Sequence, residues 1–246
     1  MFRGLKTSGL QGIDGEERKK WNPRPMARLY HIAMSPYCRK VRLILAEKRI
    51  ECELIEERYW ERDPSFLRRN PAAKVPVLEI DGKIMSESAA ICEYLEEKYP
   101  NPALMPVDIH QRYEVRRLVG WFDDKFHRDV TSKLVYERVT KKIMGQGYPD
   151  SKNVKDGAKK IKYHLDYIAW LLEQRSWLAG DMMSLADFAA AAHLSALDYI
   201  SDVDWHRNKA LKDWYAKIKS RPAFRSILAD QVPGFPQPSH YADLDF

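Results

Sequence analysis

The first part of the chain alternates short apolar runs with segments whose apolar residues recur at helical spacing. Two strands flank an Asp-Gly turn, which predicts a β-hairpin. An Asp-Pro pair marks the start of the second helix, because Asp is a preferred N-cap and Pro suits the first helical position. The predicted strands are residues 29–32, 51–56, 75–80 and 83–85. The predicted helices are residues 37–48, a helix from residue 63 and residues 86–99, so the order is strand, helix, strand, helix, strand, strand, helix. This order predicts a thioredoxin-like α/β domain over residues 26–99.

Beyond that domain the strand patterns stop and long helical patterns take over. A proline-rich linker is predicted at residues 100–107. Helical periodicity then recurs at residues 108–142, 156–175, 184–199 and 208–219. The predicted fold class is therefore an α/β domain followed by an all-α bundle over residues 108–229. Residues 1–25 read as a flexible extension, either native or left by expression, and residues 230–246 as a C-terminal tail.

Composition narrows the class of protein. The chain has 246 residues and carries no apolar stretch of about 18 residues, so neither a membrane span nor direct membrane insertion is expected. Its three cysteines, Cys38, Cys52 and Cys92, fit neither a disulfide framework nor a metal site and favour a reducing cytoplasm. The net charge of +6 favours acidic partners, but the basic residues are scattered among acids, so nucleic-acid binding is not expected.

Candidate chemistry begins at the turn Ser35-Pro36-Tyr37-Cys38, between the first strand and the first helix. Thioredoxin-type redox proteins carry Cys-x-x-Cys at such a turn, and here the first cysteine is a serine. A hydroxyl at a helix N-terminus can stabilise a thiolate through a hydrogen bond and the helix dipole. Ser35 is the candidate catalytic residue on this interpretation. Cys38 is the alternative nucleophile, and a redox protein that uses Cys38 is a third class of function.

Two further segments complete a candidate ligand site. A cis bond at Pro76 would let the backbone of Val75 bind a ligand, although an ordinary strand-entry proline is the simpler alternative. Glu87 and Ser88 begin a helix, where free N–H groups and the dipole favour a carboxylate, although simple capping would use the same residues. The Val-Pro pair follows the Ser-Pro-x-Cys turn by about 40 residues, and the Glu-Ser pair follows eleven residues later. This combination indicates a ligand site more specifically than any one of the three segments alone.

Together these motifs resemble the cytosolic glutathione-transferase family, from Ala27 to about Leu228. The resemblance implies a thioredoxin-like N-terminal domain, a helical C-terminal domain and a homodimer. It also implies a buried capping box at residues 184–187. No cofactor is required, and glutathione would be the optional ligand. The resemblance assigns glutathione binding to Ser35, Lys74, Val75, Pro76, Glu87 and Ser88.

Family membership leaves the reaction open, because one fold hosts many functions. The chain resembles the branch of this family that serves bacterial cell division, and that resemblance implies a cytoplasmic, non-enzymatic homodimer at the division site that binds filaments of the tubulin-like GTPase FtsZ. A working glutathione-dependent transferase or isomerase is the alternative. Two segments favour partner binding. The first is the aromatic and charged loop around Trp60, and its alternative role is to cover the pocket. The second is the proline-stiffened tail, and its alternative role is to pack on its own domain. The predicted partner-binding residues are Trp60, Tyr241, Asp243, Leu244, Asp245 and Phe246.

Overall fold

A four-stranded mixed sheet organises the N-terminal part of the protein, which this computed structural model describes over residues 26–244. The spatial order is β2-β1-β3-β4, with β1 parallel to β2 and antiparallel to β3, and β3 antiparallel to β4. This sheet confirms the predicted thioredoxin-like architecture. The third strand begins two residues later than predicted, because Pro76 has no N–H to donate to a ladder. The strands are β1 (Ala27–His31), β2 (Cys52–Glu56), β3 (Val77–Ile80) and β4 (Lys83–Ser86).

Three helices accompany this sheet: α1 (Pro36–Glu47), α2 (Pro64–Arg69) and α3 (Ser88–Lys98). Helix α2 begins as the sequence predicts, with Asp63 as the cap and proline at the first helical position, whereas α1 begins one residue earlier than predicted, at Pro36, because Ser35 caps it. Asp63 accepts hydrogen bonds from the backbone N–H groups of Ser65 and Phe66. The predicted extension at residues 1–25 lies outside the described residues, as do Asp245 and Phe246.

The C-terminal part is helical. The helix that we call α4 runs over residues 109–143 and contains two π-helical stretches, Trp121–Thr131 and Tyr136–Thr140. It matches the extent of the predicted long helix. Helix α5 begins at residue 151, earlier than predicted, because Asp150 caps it. The remaining helices are α5 (Ser151–Gln174), α6 (Leu185–Asp198), α7 (Lys209–Lys219) and α8 (Arg225–Leu228), and no helix within residues 26–244 is both long and apolar enough to cross a membrane.

The start of α6 carries the predicted capping box in the core of the bundle. The carboxylate of Asp187 is fully buried and accepts hydrogen bonds from the Ser184 N–H at 2.9 Å and the Trp214 indole N–H at 2.9 Å. Burial raises the pKa of Asp187, against the opposing effect of these hydrogen bonds. The box joins α6 to α7 and has a structural role.

Buried basic side chains of α1 join the two parts of the molecule. Arg42 donates to both carboxylate oxygens of Asp230, at 2.9 and 2.8 Å. Lys40, two residues before Arg42 on the same helix, forms an ion pair with Asp123 of α4. Arg39 is fully buried and reaches Asp230 at 3.3 Å. Because unpaired buried charges are costly, these pairs restrain α1 against both α4 and the C-terminal segment.

The C-terminal segment packs on the protein's own helices, which corrects one prediction. Tyr241 is fully buried, and its hydroxyl accepts a hydrogen bond from Arg39 at 2.9 Å. Its ring packs edge-on against Tyr199, whose hydroxyl donates to the Phe235 carbonyl at 2.9 Å. The prediction that Tyr241 contacts a partner is therefore wrong, because its side chain is a core residue. We call residues 230–241 the C-terminal strap, because they pack on the protein's own helices.

Candidate functional site

A cavity of about 660 Å³ opens between the two parts of the molecule. It lies where the start of α1, the loop before β3, the start of α3 and the middle of α4 come together. Its size suits a small organic ligand. All six residues assigned to ligand binding from the sequence line this cavity: Ser35, Lys74, Val75, Pro76, Glu87 and Ser88.

Ser35 forms the N-cap of α1 on the cavity wall. Its Oγ accepts the backbone N–H of Cys38 at 3.3 Å, and Pro36 occupies the first helical position. The side chain is half-buried. A hydroxyl that accepts one hydrogen bond can still donate its own proton, so Ser35 can donate to a sulfur placed at the helix N-terminus.

The loop before β3 is braced by a buried asparagine. The side-chain amide of Asn70 donates to the Lys74 carbonyl at 2.8 Å, and its Oδ1 accepts the Ala72 N–H at 3.2 Å. The peptide bond between Val75 and Pro76 is cis, as predicted. These bonds hold the loop so that Val75 presents its backbone at the cavity.

The start of α3 provides the acid and serine pair. Glu87 is the N-cap residue and has φ of 68°, in the left-handed region that non-glycine residues rarely adopt. Such strain, of order 1–3 kcal/mol, is found preferentially at functional sites. Ser88 follows as the first helical residue and is only 7% exposed. The strained turn places an exposed carboxylate beside the unpaired N–H groups of a helix start.

Cys38 does not take part in this site, which corrects the prediction of an alternative nucleophile. Its side chain is fully buried and does not line the cavity. Burial raises the pKa of the Cys38 thiol to about 11, although the Ser35 hydrogen bond opposes the shift. A neutral, inaccessible thiol is neither a nucleophile nor a redox centre at neutral pH.

A second wall of the cavity comes from α4 and was missed by the sequence analysis. Asp123, His127, Thr131 and Val135 lie four residues apart and all line the cavity. A regular α-helix of 3.6 residues per turn would rotate such a series steadily off one face. The π-helical turns in residues 121–140 are wider and offset that rotation. The four-residue spacing of these side chains was the one sequence signal for this wall. A pattern of 3.6 residues per turn does not reveal it, because such a pattern would not keep the four side chains on one face.

Hydrogen bonds and charges stiffen this second wall. The Tyr37 hydroxyl donates to the Asp123 carbonyl at 2.7 Å. Burial alone would raise the pKa of Asp123, but the Lys40 ammonium and His193 hold it below its ordinary value. The other ring nitrogen of His193 pairs with Thr131 Oγ1 at 2.9 Å. The carboxylate therefore stays ionised beside the cavity.

The predicted partner-binding residues lie elsewhere. Trp60 is half-buried in the short 3₁₀ turn Tyr59–Glu61 and packs edge-on against Tyr59 at 5.3 Å between ring centroids. Tyr59 lines the cavity and Trp60 does not, so the tryptophan does not cover the ligand site. At the other end of the chain, Asp243 and Leu244 are exposed.

Comparison with known proteins agrees with this arrangement. The family model for the glutathione S-transferase N-terminal domain matches residues 29–103, and that for the C-terminal domain matches residues 139–231. FtsZ-localized protein A of Caulobacter vibrioides is 46% identical over 223 residues, which cover 89% of this chain and 97% of that protein. Maleylacetoacetate isomerase of Pseudomonas aeruginosa is 28% identical over 216 residues, covering 84% of this chain and 97% of that enzyme.

Solved structures give the same result. A glutathione S-transferase from Rhodospirillum rubrum superposes with a TM-score of 0.87 at 50% identity and covers 90% of this chain and 100% of that one. FzlA from C. crescentus superposes with a TM-score of 0.86 at 45% identity, with the same coverage. The family models, the sequence identity and the shared fold together show that this chain belongs to the glutathione S-transferase family.

Proposed function

We propose that this protein binds FtsZ filaments in the cytoplasm at the division site and regulates constriction, using its transferase fold as a protein-binding module that needs no cofactor. The observation that carries the proposal is the 46% identity to FtsZ-localized protein A along 97% of that protein. An alignment of that extent includes both parts of the fold. The net charge of +6 suits an acidic filament surface.

The C-terminal end supports the proposal as a contact surface. Tyr241 anchors the chain in the core, and residues 242–244, the described residues that follow it, are exposed, with Leu244 at 42%. The end of the sequence, Asp-Leu-Asp-Phe, alternates acidic and apolar residues. A short segment that leaves a fixed anchor loses less conformational entropy on binding than a free tail. Residues 242–246 are therefore the proposed contact, together with Trp60.

Co-sedimentation with FtsZ filaments tests this proposal. Removing residues 242–246 keeps Tyr241 in the core and should abolish co-sedimentation in a protein that still folds, as judged by circular dichroism. Removing residues 233–246 would be a poor test, because it also removes the buried Tyr241. Asp181→Lys, a charge change at an exposed position elsewhere, serves as the control. Full-length protein that fails to co-sediment would contradict the proposal, and an unaffected truncation would move the contact away from the C-terminal end.

A homodimer is part of the same proposal. Strand β4 lies at the edge of the sheet, and its Ile84 is 52% exposed. The start of α4 exposes Ile109 at 74% and Tyr113 at 66%. Exposed apolar groups of this kind supply surface that a second copy can bury. Ile109→Glu should shift the mass measured by light scattering from dimer to monomer, whereas Tyr148→Glu, in an exposed loop, should not.

A second candidate function is a glutathione-dependent transferase or isomerase. It is favoured by one observation: all six predicted glutathione residues line one open cavity, and no arginine or tryptophan of residues 56–63 lines it. Calorimetric titration with glutathione tests binding, and Ser35→Ala tests chemistry. Micromolar to low-millimolar affinity, with turnover lost in Ser35→Ala, would establish an enzyme. Absence of binding at millimolar glutathione would exclude this candidate and leave the filament proposal untouched.

A further inference from the structure

The outer face of helix α5 carries a row of exposed lysines, spaced by three or four residues along the chain. We call these residues the lysine row: Lys152, Lys155, Lys159 and Lys162. At about 3.6 residues per turn, this spacing keeps their side chains on one side of the helix. The opposite side is buried through Ile161, Leu165 and Ile168. A helix rises about 1.5 Å per residue, so the row is about 15 Å long.

The lysine row lacks the acidic partners that neighbouring lysines have. Lys125, Lys133 and Lys160 form ion pairs with Asp129 or Asp156. Within residues 26–244, no member of the row forms an ion pair. Asp156 lies within the span of the row, but it is already engaged by Lys133 and by Lys160. The row therefore presents uncompensated positive charge to solvent.

The acids that follow on the same helix leave this charge in place. Asp166 lies one turn beyond Lys162, and each of its carboxylate oxygens accepts a hydrogen bond from Arg207 at 2.7 Å. Because that pair is neutral overall, it offsets little of the charge of the row. The exposed Glu173 lies about 16 Å beyond Lys162 along the helix axis. This separation exceeds the Debye length of about 8 Å at physiological ionic strength, so salt screens the acid from the row.

Exposed aromatic residues border the lysine row. Tyr148, just before the helix, is 93% exposed, and on the helix Tyr163 is 58% and Trp170 is 50% exposed. Tyr163 and Trp170 are seven residues apart and therefore lie on one side of α5. Trp170 stacks on Tyr167 with an angle of 17° between the ring planes. Tyrosine and tryptophan are enriched at the headgroup level of membranes, because their rings are apolar at one end and polar at the other.

The chemistry and shape of this surface favour an anionic lipid bilayer as the partner. Every cation in the row is a lysine, a point charge without the planar fork with which arginine recognises a carboxylate or a phosphate. The row follows the convex outer side of a helix, and no residue of α5 lines the ligand cavity. A flat, diffuse negative surface requires neither a fork nor a groove. Contact at the headgroup level also requires no insertion into the hydrocarbon, in agreement with the expectation from the sequence.

We propose that the lysine row of α5 is a docking surface for an anionic membrane. The lysines lie over the acidic headgroups, and Tyr163 and Trp170 meet the same interface beside them. The contact is peripheral and electrostatic. It uses none of the residues assigned to glutathione, to the C-terminal contact or to the homodimer surface. It therefore stands or falls independently of the filament proposal.

Vesicle co-sedimentation of the full-length protein, without FtsZ, tests the proposal. The probes are vesicles of phosphatidylcholine alone and vesicles in which about a third of the lipid is phosphatidylglycerol. The protein should bind the anionic vesicles and not the neutral ones. Raising NaCl from about 0.1 M to about 1 M shortens the Debye length from about 10 Å to about 3 Å and should release the protein.

Four outcomes of this experiment would overturn the proposal. They are no binding to the anionic vesicles, equal binding to both kinds of vesicle, binding that persists at high salt, and binding of duplex DNA or polyglutamate in place of vesicles. The last outcome would assign the row to a macromolecular partner.

Substitutions assign the effect to the row. A lysine near an anionic surface strengthens binding by about fivefold, so the double variant Lys155→Gln/Lys159→Gln should bind the anionic vesicles about 25-fold more weakly. Lys83→Gln/Lys217→Gln removes the same net charge from exposed positions outside the row and should weaken binding far less. Circular dichroism checks that both variants fold. Equal losses in the two double variants would show that net charge alone drives binding, and would overturn the proposal.

Discussion

The guanidinium of Arg39 donates a hydrogen bond to the hydroxyl of Tyr241 across 2.9 Å, and both side chains are fully buried. The same guanidinium donates to the Ala33 carbonyl at 2.7 Å, in the loop directly before the Ser35 turn. It also donates to Ser195 Oγ at 2.9 Å. One buried cation thus connects the C-terminal strap, the helical bundle and the loop that carries the candidate ligand site.

Removing the Tyr241 hydroxyl should destabilise the whole protein. Tyr241→Phe keeps the ring in the core but deprives the buried Arg39 of an acceptor. A hydrogen bond to a charged group is worth about 1.5–3 kcal/mol, so the free energy of unfolding measured in urea should fall by a similar amount. Tyr163→Phe is the control, because that hydroxyl belongs to a 58% exposed side chain and should change the value little. Equal losses in the two variants would contradict a special role for the strap.

Two helical glycines should respond in opposite directions to alanine. A Cβ at Gly157 of α5 would lie 2.9 Å from Lys133 Cβ and 3.0 Å from Leu134 Cγ, both on α4. Overpacking of this kind costs about 1–3 kcal/mol, which outweighs the gain of about 1 kcal/mol in helix propensity. Gly120, inside α4, has open space around the same position. Denaturant titration should therefore show Gly157→Ala as less stable than wild type and Gly120→Ala as more stable.

Stability should fall as the pH is lowered from 7 to 5, in part because of His31. Burial, and secondly the charge of Arg42, lowers the pKa of His31 to about 4, whereas an unfolded histidine titrates near 6.5. Between these values the unfolded chain binds more protons than the folded chain, so acidification favours unfolding. From pH 7 to pH 5 the loss from this residue is about 2 kcal/mol.

The histidine effect can be isolated by substitution. In His31→Phe, the decline in the free energy of unfolding between pH 7 and pH 5 should be shallower than in wild type. His206→Phe, at an exposed position, should keep the wild-type slope. If the slopes of wild type and His31→Phe agree, the folded protein does not keep this imidazole neutral.

The thiol of Cys38 should resist modification in the native state. It is fully buried, and its raised pKa of about 11 leaves little thiolate at pH 8. Labelling by a thiol reagent, followed by peptide mass analysis, should show Cys38 modified at the rate of global unfolding. Full modification in denaturant is the internal control. Rapid native labelling, or a mixed disulfide with glutathione at Cys38, would instead support redox chemistry.

Much of this protein could be read from local patterns. The strand and helix order and the capping residues follow from short-range features, because periodicity, caps and turns are local properties of a chain. The resemblance to the family, carried by short motifs, assigned the six predicted glutathione residues, and all six line the cavity. Even the start of β3 differs from its prediction only by the effect of Pro76 on the ladder. The Ser35 turn was placed correctly at a helix N-terminus beside a cavity.

Only the tertiary structure decided which side chains are buried and which ones line the cavity together. It buried Cys38 and Tyr241, which the sequence had offered as a nucleophile and a partner contact, because burial depends on elements far apart in the chain. It also aligned Asp123 and His127 on the cavity through π-helical turns that no 3.6-residue pattern reveals. The sequence by itself determined the elements, the family resemblance and the cavity wall formed by the starts of α1 and α3 and the loop before β3. The opposite wall and the anchoring of the C-terminal strap exist only once long-range contacts bring those elements together.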